Sequence, residues 1–301
     1  MSEIAQIDLA ESFGKRLKWR LIDIRYLMLG FFSRVLLTDR QWPDFDRART
    51  FCCFVGHGRS GGTLVGALLN AHPNAVLSNE LHALRRLRTG MSAAQLYRLI
   101  YLKTQRQVRR GSIGGGGYSY EVSGQWQGRQ RELVVIGDRK AGATAYEIVQ
   151  HPQSLEILDR KVRLDKKFIH VIRNPFDTIT TTYQKTRPKP GEHTGSHLSR
   201  EIRNYFARCT AVKQIEQKFG AASIHHLYHE RLIAEPIVRL HNLCEFLDVE
   251  PFPDYLRDCA GILQSSPHES RKALEWPDQQ VTEVNRAMEN CSWLARYEGR
   301  P

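Results

Sequence analysis

The stretch GHGRSGGT, residues 56–63, follows the apolar run TFCCFV and carries the residue types that grip a phosphate-like anion. It comes close to a phosphate loop, G-x-x-x-x-G-K-[ST], with Gly56 and Gly61 at the glycine positions and Thr63 at the hydroxyl. Gly62 stands where the lysine belongs. A nucleoside-triphosphatase or ordinary kinase needs that lysine on the β- and γ-phosphates, so this loop suits a different anion. Arg59 supplies a planar, permanently charged fork that matches two oxygens of a phosphate or sulfate. Taken alone, a tight strand-to-helix turn without a ligand would look the same.

Three further stretches could join it. FIHVIRNPFDTITTTYQK, residues 168–185, runs an apolar strand into Arg173, then Asn-Pro, then a helix opening beyond Asp177. That puts Arg173 and the hydroxyls of the next turns, Thr181 among them, at the carboxyl end of a strand, where open α/β sheets bind ligands. VVIGDRKAG, residues 134–142, ends another strand on Asp138, Arg139 and Lys140. HPNAVLSNELHAL, residues 72–84, carries Glu80 21 residues after Arg59. An acceptor hydroxyl must lose its proton as it attacks, and a carboxylate in a partly desolvated cleft can take it. Each charge has a plainer reading: Glu80 as a solvated carboxylate paired with Arg85 or Arg86, Lys140 as a surface lysine. His82 is the reserve base, and Arg139 the reserve cation.

These residues together resemble the sulfotransferases that use 3′-phosphoadenosine 5′-phosphosulfate (PAPS). The family's first motif, a strand followed by Arg-Ser-Gly-x-Thr and a helix, matches Arg59, Ser60, Gly61, Gly62 and Thr63, with Gly58 just ahead. The resemblance implies that this loop binds the 5′-phosphosulfate. Its second motif, Arg-Asn-Pro-x-Asp with a hydroxyl eight positions after the arginine, matches Arg173 to Thr181 and implies binding of the 3′-phosphate. The spacing of Glu80 is similar to that of the catalytic glutamate in tyrosylprotein-type and several carbohydrate or bacterial members. Lys140 matches a lysine near the transferring group, where it would support the leaving oxygen. YHERLIAEP, residues 228–236, resembles a segment that organises the fold. SSPHESRKALEW, residues 265–276, resembles the loop that closes over the donor, with Ser265, Ser266 and Arg271 as contacts. Two departures stand out: Gly62 where the family often has Thr or Ser, and Thr181 for the usual Ser. The implied reaction moves a sulfuryl group from PAPS to a hydroxyl, with 3′-phosphoadenosine 5′-phosphate (PAP) as product and no metal. The alternatives are a kinase-like nucleotide phosphotransferase, or a non-enzymatic basic module on anionic membrane or nucleic acid. No nucleic-acid fold motif supports the latter, so no nucleic-acid partner is expected.

The elements that must hold these residues are legible from residue 50 on. TFCCFV, RELVVIG (131–137), KKFIHVIR (166–173) and AASIHHLYHE (221–230) are strand candidates. Helical patterns lie after the loop to near Pro73, and at about 176–186, 197–219, 235–248 and 278–296. Strands separated by helices predict an α/β fold: one doubly wound domain, residues 50–301, with a central parallel sheet and a phosphate-loop-like strand-loop-helix. Residues 1–49 form an N-terminal helical extension outside the resemblance. The glycine-rich stretch GSIGGGGYSYEVSGQWQGRQR, residues 111–131, is either a surface loop or a mobile lid.

The chain has 301 residues and a net charge of +12, concentrated in two stretches. Residues 14–37 hold six Lys/Arg against one acid, and residues 85–110 hold eight against none, leaving the remainder near neutral. Local basicity suits an anionic partner, such as an anionic glycan acceptor. Residues 14–37 predict a basic amphipathic helix that either packs on the domain, the preferred reading, or lies in a membrane interface. The six cysteines show no C-x-x-C spacing, and Cys52 and Cys53 would point to opposite faces of one strand. Reduced, core-type cysteines and a polar N-terminus point to a cytoplasmic protein, with peripheral membrane contact through residues 14–37 as the variant. The histidine run at 225–229 lacks carboxylate company, so a metal is not expected.

Overall fold

The structure, a computed structural model, describes residues 13–32, 42–109, 114–115, 118–188, 191, 193–264 and 266–299. The run ahead of the loop forms β1 (Thr50–Gly56), buried along its whole length. With β2 (Ala75–Ser78), β3 (Val135–Asp138), β4 (Asp165–Ile172) and β5 (Ile224–Tyr228) it builds a parallel sheet in the order β2-β3-β1-β4-β5. The central place of β1 explains its unbroken apolar sequence, since both faces must be covered. Phe51, Cys53 and Val55 enter one core layer, Cys52 and Phe54 the other, as the strand alternation requires. All six cysteines are buried and free.

Helix α1 (Phe13–Phe32) precedes β1, and between the strands run α2 (Gly62–Ala71), α3 (Ala83–Arg88), α4 (Ala93–Arg109), α5 (Ala141–Gln150) and α6 (Gln153–Lys161). Then follow α7 (Pro175–Lys185), α8 (Thr194–Phe219), α9 (His229–Ala234), α10 (Pro236–Phe246), α11 (Pro253–Gly261) and α12 (Asp278–Met288). One sheet face is covered by a layer that includes α4, α5, α7 and α8, the other by α2, α10 and α11. From β1 the chain goes outward to β2, returns to β3, and then crosses to β4 on the far side of β1. The connections after β1 and β3 therefore leave in opposite directions. A crevice opens at the carboxyl ends of these strands, where such sheets hold ligands.

The structure differs from the sequence expectation in several places. β2 was not expected, because AVLS is only four residues between Pro73 and Asn79. β3 starts at Val135 and not at Arg131, since the Arg131 N–H is drawn to the Pro73 carbonyl (2.8 Å) instead of a strand partner. The helix at 278–296 stops at Met288, and a 3-10 turn (Ser292–Tyr297) follows. The amphipathic helix covers Phe13–Phe32, and residues 33–37 lie outside the described residues.

The lid alternative for 111–131 is resolved in part. Residues 111–113 and 116–117 lie outside the described residues. The second half is fastened to the far end of α2: Trp126 N–H donates to Ala71 O (3.1 Å) and Gly128 N–H to Asn70 O (2.5 Å). Gln125, Gln127 and Gly128 are buried there, so that half belongs to the wall of the domain.

Candidate active site

The turn from β1 into α2 requires backbone that few residues tolerate. Gly56, Arg59 and Gly61 have φ of 105°, 69° and 99°. A Cβ on Gly56 would meet the His170 ring at 2.6 Å, and one on Gly61 would meet His229 Nδ1 at 2.6 Å. Both glycines are therefore fixed by conformation and by space. Ser60 is buried, and its hydroxyl donates to His57 O (2.9 Å), so Ser60 pins the loop. Ser60 thus stands within the expected loop, with its hydroxyl turned onto the loop's own backbone. Gly58, Arg59 and Thr63 are exposed. At Gly62 a Cβ would touch Phe54 at an ordinary 3.6 Å, so space does not demand glycine there.

The first helical bond of α2 runs from Val65 N–H to Gly61 O (3.1 Å). The N–H groups of Gly62, Thr63 and Leu64 consequently have no helical acceptor, and the helix dipole adds positive potential where they point. Gly142, in the first turn of α5, comes so near that a Cβ there would lie 3.3 Å from Gly58 N. Two helix N-termini thus meet at one loop, a favourable place for an anion.

The residues predicted to bind the 3′-phosphate gather around the start of α7. Asn174 caps that helix by accepting from Phe176 N–H (2.9 Å), and Pro175 fills the first position. Arg173 is 9% exposed and spans two segments. Its Nη1 donates to Arg59 O (3.2 Å), and its Nη2 to Ser270 Oγ (3.0 Å) and to His268 O. Its Nε is buried without a hydrogen-bond partner. Burial lowers the Arg173 pKa and Arg271 adds to that, against Asp177 and Glu230; the guanidinium stays charged. The Thr181 hydroxyl donates back to Asp177 O (2.8 Å). Arg271 clamps Asp177 with its own N–H (2.7 Å) and Nη1 (2.7 Å), and also pairs with Glu269. Arg173, Thr181 and Arg271 are therefore brought together through Asp177, the motif's acidic residue, to which the sequence assigned no role. Ser266 is described nearby in the chain, whereas Ser265 lies outside the described residues.

Glu80 and Lys140 also meet. Lys140 precedes α5 and donates to Glu80 Oε1 (2.5 Å), while Lys103 on α4 donates to the Glu80 carbonyl (2.7 Å). The chain at Glu80 has φ of 60°, and so has His82. Asp138, fully buried, holds this turn: its carboxylate accepts from Ser78 Oγ (2.9 Å), Leu81 N–H (3.1 Å) and Ala83 N–H (3.0 Å). Burial alone would raise the Glu80 pKa, but the hydrogen bond and charge of Lys140, with Lys103 and His82, hold it below the ordinary value. Arg139 turns the other way, lies over Gly66 and donates to Thr63 O (2.7 Å), which stitches β3 to α2. Lys140, not Arg139, is the cation beside the carboxylate.

Two neighbours were missed. His229 sits against Gly61 with Nδ1 buried and unpartnered, and burial lowers its pKa. Tyr228 ends β5 and so delivers His229, the last of the histidine run, to the ligand edge. Lys103 was legible only as part of a basic stretch. The arrangement can do two things: hold an elongated anion between the loop and α7, and offer a carboxylate–ammonium pair beside it.

A family model described as "Sulfotransferase family" matches residues 53–254. Among solved structures, the chain is similar to the sulfotransferase domain from the curacin biosynthetic pathway, at 17% identity and a TM-score of 0.51, covering 86% of this chain and 99% of that one. It is also similar to the sulfotransferase domain of the Synechococcus PCC 7002 olefin synthase (19% identity, TM-score 0.45, 80% and 86% covered). A mouse sulfotransferase complexed with PAP gives 11% identity and a TM-score of 0.47, with 82% and 86% covered. No curated protein matches the sequence.

Proposed function

The chain belongs to the sulfotransferase family, and from that premise we propose that it moves a sulfuryl group from PAPS to the hydroxyl of an acceptor alcohol. The observation that carries this reading is the convergence of three groups at one sheet edge. They are the loop N–H groups of α2, the buried Arg173 beneath α7, and the Glu80–Lys140 pair. Two buried nitrogens without hydrogen-bond partners, Arg173 Nε (which faces Asp177 Oδ2 at 3.9 Å) and His229 Nδ1, suit a strongly accepting anion in the same cradle.

In this reading the N–H groups of Gly62, Thr63 and Leu64, with Arg59, hold the 5′-phosphosulfate end. Arg173, Thr181 and Arg271 hold the 3′-phosphate. For this the Thr181 hydroxyl must turn from Asp177 O and the Arg271 fork must share itself with Asp177 and Glu269. Glu80 takes the proton of the acceptor hydroxyl. Lys140 serves two masters: paired with Glu80 it keeps the carboxylate ionised, and turned toward the donor it stabilises the leaving phosphate oxygen. As Lys140 turns away, its hold on Glu80 weakens and the carboxylate becomes the stronger base when the proton must be taken. The acceptor proposed is a glycan or another alcohol, with the local basicity favouring an anionic one.

The test is calorimetric binding of PAP beside adenosine 5′-monophosphate, followed by transfer from radiolabelled PAPS to a panel of acceptors. PAP should bind at least tenfold more tightly, because charge-assisted bonds to the 3′-phosphate are lost in the monophosphate. Equal affinity for the two nucleotides would count against the assignment of Arg173 and Thr181.

A further inference from the structure

Helix α1 has two faces of opposite character. Its inner face is tied to the domain through Asp23, which pairs with Arg85 (2.8 Å) and Arg86 (2.5 Å). Trp19 lies under the Arg85 guanidinium (4.7 Å) and beside the His82 ring (5.5 Å), and Tyr26 lies under Arg86 (4.4 Å). The outer face carries Leu17, Leu21, Ile24, Met28, Phe31 and Phe32, all between 49% and 72% exposed. Six of the eight large apolar side chains exposed among the described residues are these; the other two are on α10. Scattered exposed apolar residues are ordinary, but a continuous stripe along one helix marks an interaction surface.

The spacing and the flanking charge select the occupant. Leu17, Leu21, Ile24, Met28 and Phe31 alternate in steps of four and three, the seam that could pair with a second copy of the helix. The charged residues bordering that seam are Lys18 and Arg25 on one side and Arg20 on the other, all basic and exposed. Two copies would face each other with like charges where a coiled coil needs opposite ones. An apolar stripe between basic borders is instead complementary to a bilayer surface with anionic headgroups. No helix among the described residues is long and apolar enough to cross a membrane, so α1 would lie in the interface plane.

We propose that the outer face of α1 docks this protein in the plane of an anionic membrane. The geometry gives the docking a fixed orientation, since the inner face is bound to α3 by the contacts above and Tyr26 also lies under Lys103 of α4 (6.0 Å). His82, two residues from Glu80, touches Trp19, so the loop bearing the carboxylate is carried at the side of the molecule that α1 flanks. The docking itself is independent of the sulfotransferase reading.

The test is sedimentation of the full chain with phosphatidylcholine vesicles, with and without phosphatidylglycerol. Binding should rise by roughly a hundredfold with the anionic lipid, from three basic side chains at the surface, and should fall with added salt. The double variant Leu21→Glu with Met28→Glu should lose vesicle binding at any lipid composition. Lys18→Glu with Arg25→Glu should lose the preference for phosphatidylglycerol. All four side chains are exposed and outside the donor cradle, so PAP affinity and the circular dichroism melt should be unchanged in both. Vesicle binding equal to wild type in the Leu21→Glu, Met28→Glu variant would overturn the proposal. So would a wild-type dimer in solution that this variant converts to monomer. Vesicle binding without PAP binding would leave the docking standing and sink the sulfotransferase reading instead; PAP binding without vesicle binding would do the reverse.

Discussion

Two side chains carry the chemistry proposed, and each makes a separable prediction. Glu80 faces an anionic sulfuryl group, so it does not help the donor bind, and it is needed only when the acceptor proton leaves. Glu80→Gln should lower turnover by about a hundredfold or more while PAP affinity stays within a few fold, as steady-state rates and calorimetry would show. Near-normal turnover would move the base elsewhere, with His82 next in line. The pH profile adds a readout. Because Lys140 and its neighbours hold the Glu80 carboxyl below its ordinary value, activity should persist into acid and fade only as pH drops through that lowered value. In Lys140→Met the largest remaining influence is burial, which favours the protonated form, so the acid limb of kcat/KM should move up in pH. An unmoved limb in Lys140→Met would show that another group titrates there. Arg173→Ala should weaken PAP by about 2 kcal/mol or more, through lost charge-assisted bonds and through loosening of the Arg59 and Ser270 contacts.

Among the elements, the sheet and α2 respond oppositely to the same small change. Gly137 lies in β3 against β1, and a Cβ there would overlap the backbone carbonyl of Cys52. Backbone at the centre of a sheet cannot yield as a flexible side chain can. Gly137→Ala should therefore destabilise by about 3 kcal/mol or more in urea unfolding. Gly62 opens α2 with room for a side chain, so Gly62→Ala should raise stability by about 0.5–1 kcal/mol. A loss of stability in Gly62→Ala would show that the loop needs glycine for reasons beyond space. Helix α1 is held by charge as much as by packing. Arg86 has only 1% of its side chain exposed and Asp23 13%, so removing the carboxylate leaves a buried guanidinium without its partner. Asp23→Ala should cost about 3 kcal/mol, measured by the same unfolding.

At the scale of the whole molecule, donor binding and membrane docking occupy different parts of one fold. Each proposed donor contact lies beyond residue 55, so PAP affinity should survive any change confined to the outer face of α1. The sequence by itself determined the parallel α/β architecture, because β1 is apolar on both faces and its neighbours alternate with helices. It also determined the loop and the Arg173–Thr181 stretch, because local motifs ride on single strand-to-helix turns whose conformation the nearby residues dictate. It left β2 unseen, since four residues hold too little pattern, and it left the partner of the Ser60 hydroxyl unseen, since that depends on how the loop closes. Only the tertiary structure decided that Lys140 and not Arg139 meets Glu80. The same holds for Asp177 as the tie between Arg173, Thr181 and Arg271, and for His229 under Gly61. The pairings Lys140–Glu80, Arg271–Asp177 and His229–Gly61 join residues 60, 94 and 168 positions apart in the chain. They exist because the parallel sheet sets the ends of β1, β3, β4 and β5 side by side, a spatial order that no local spacing encodes.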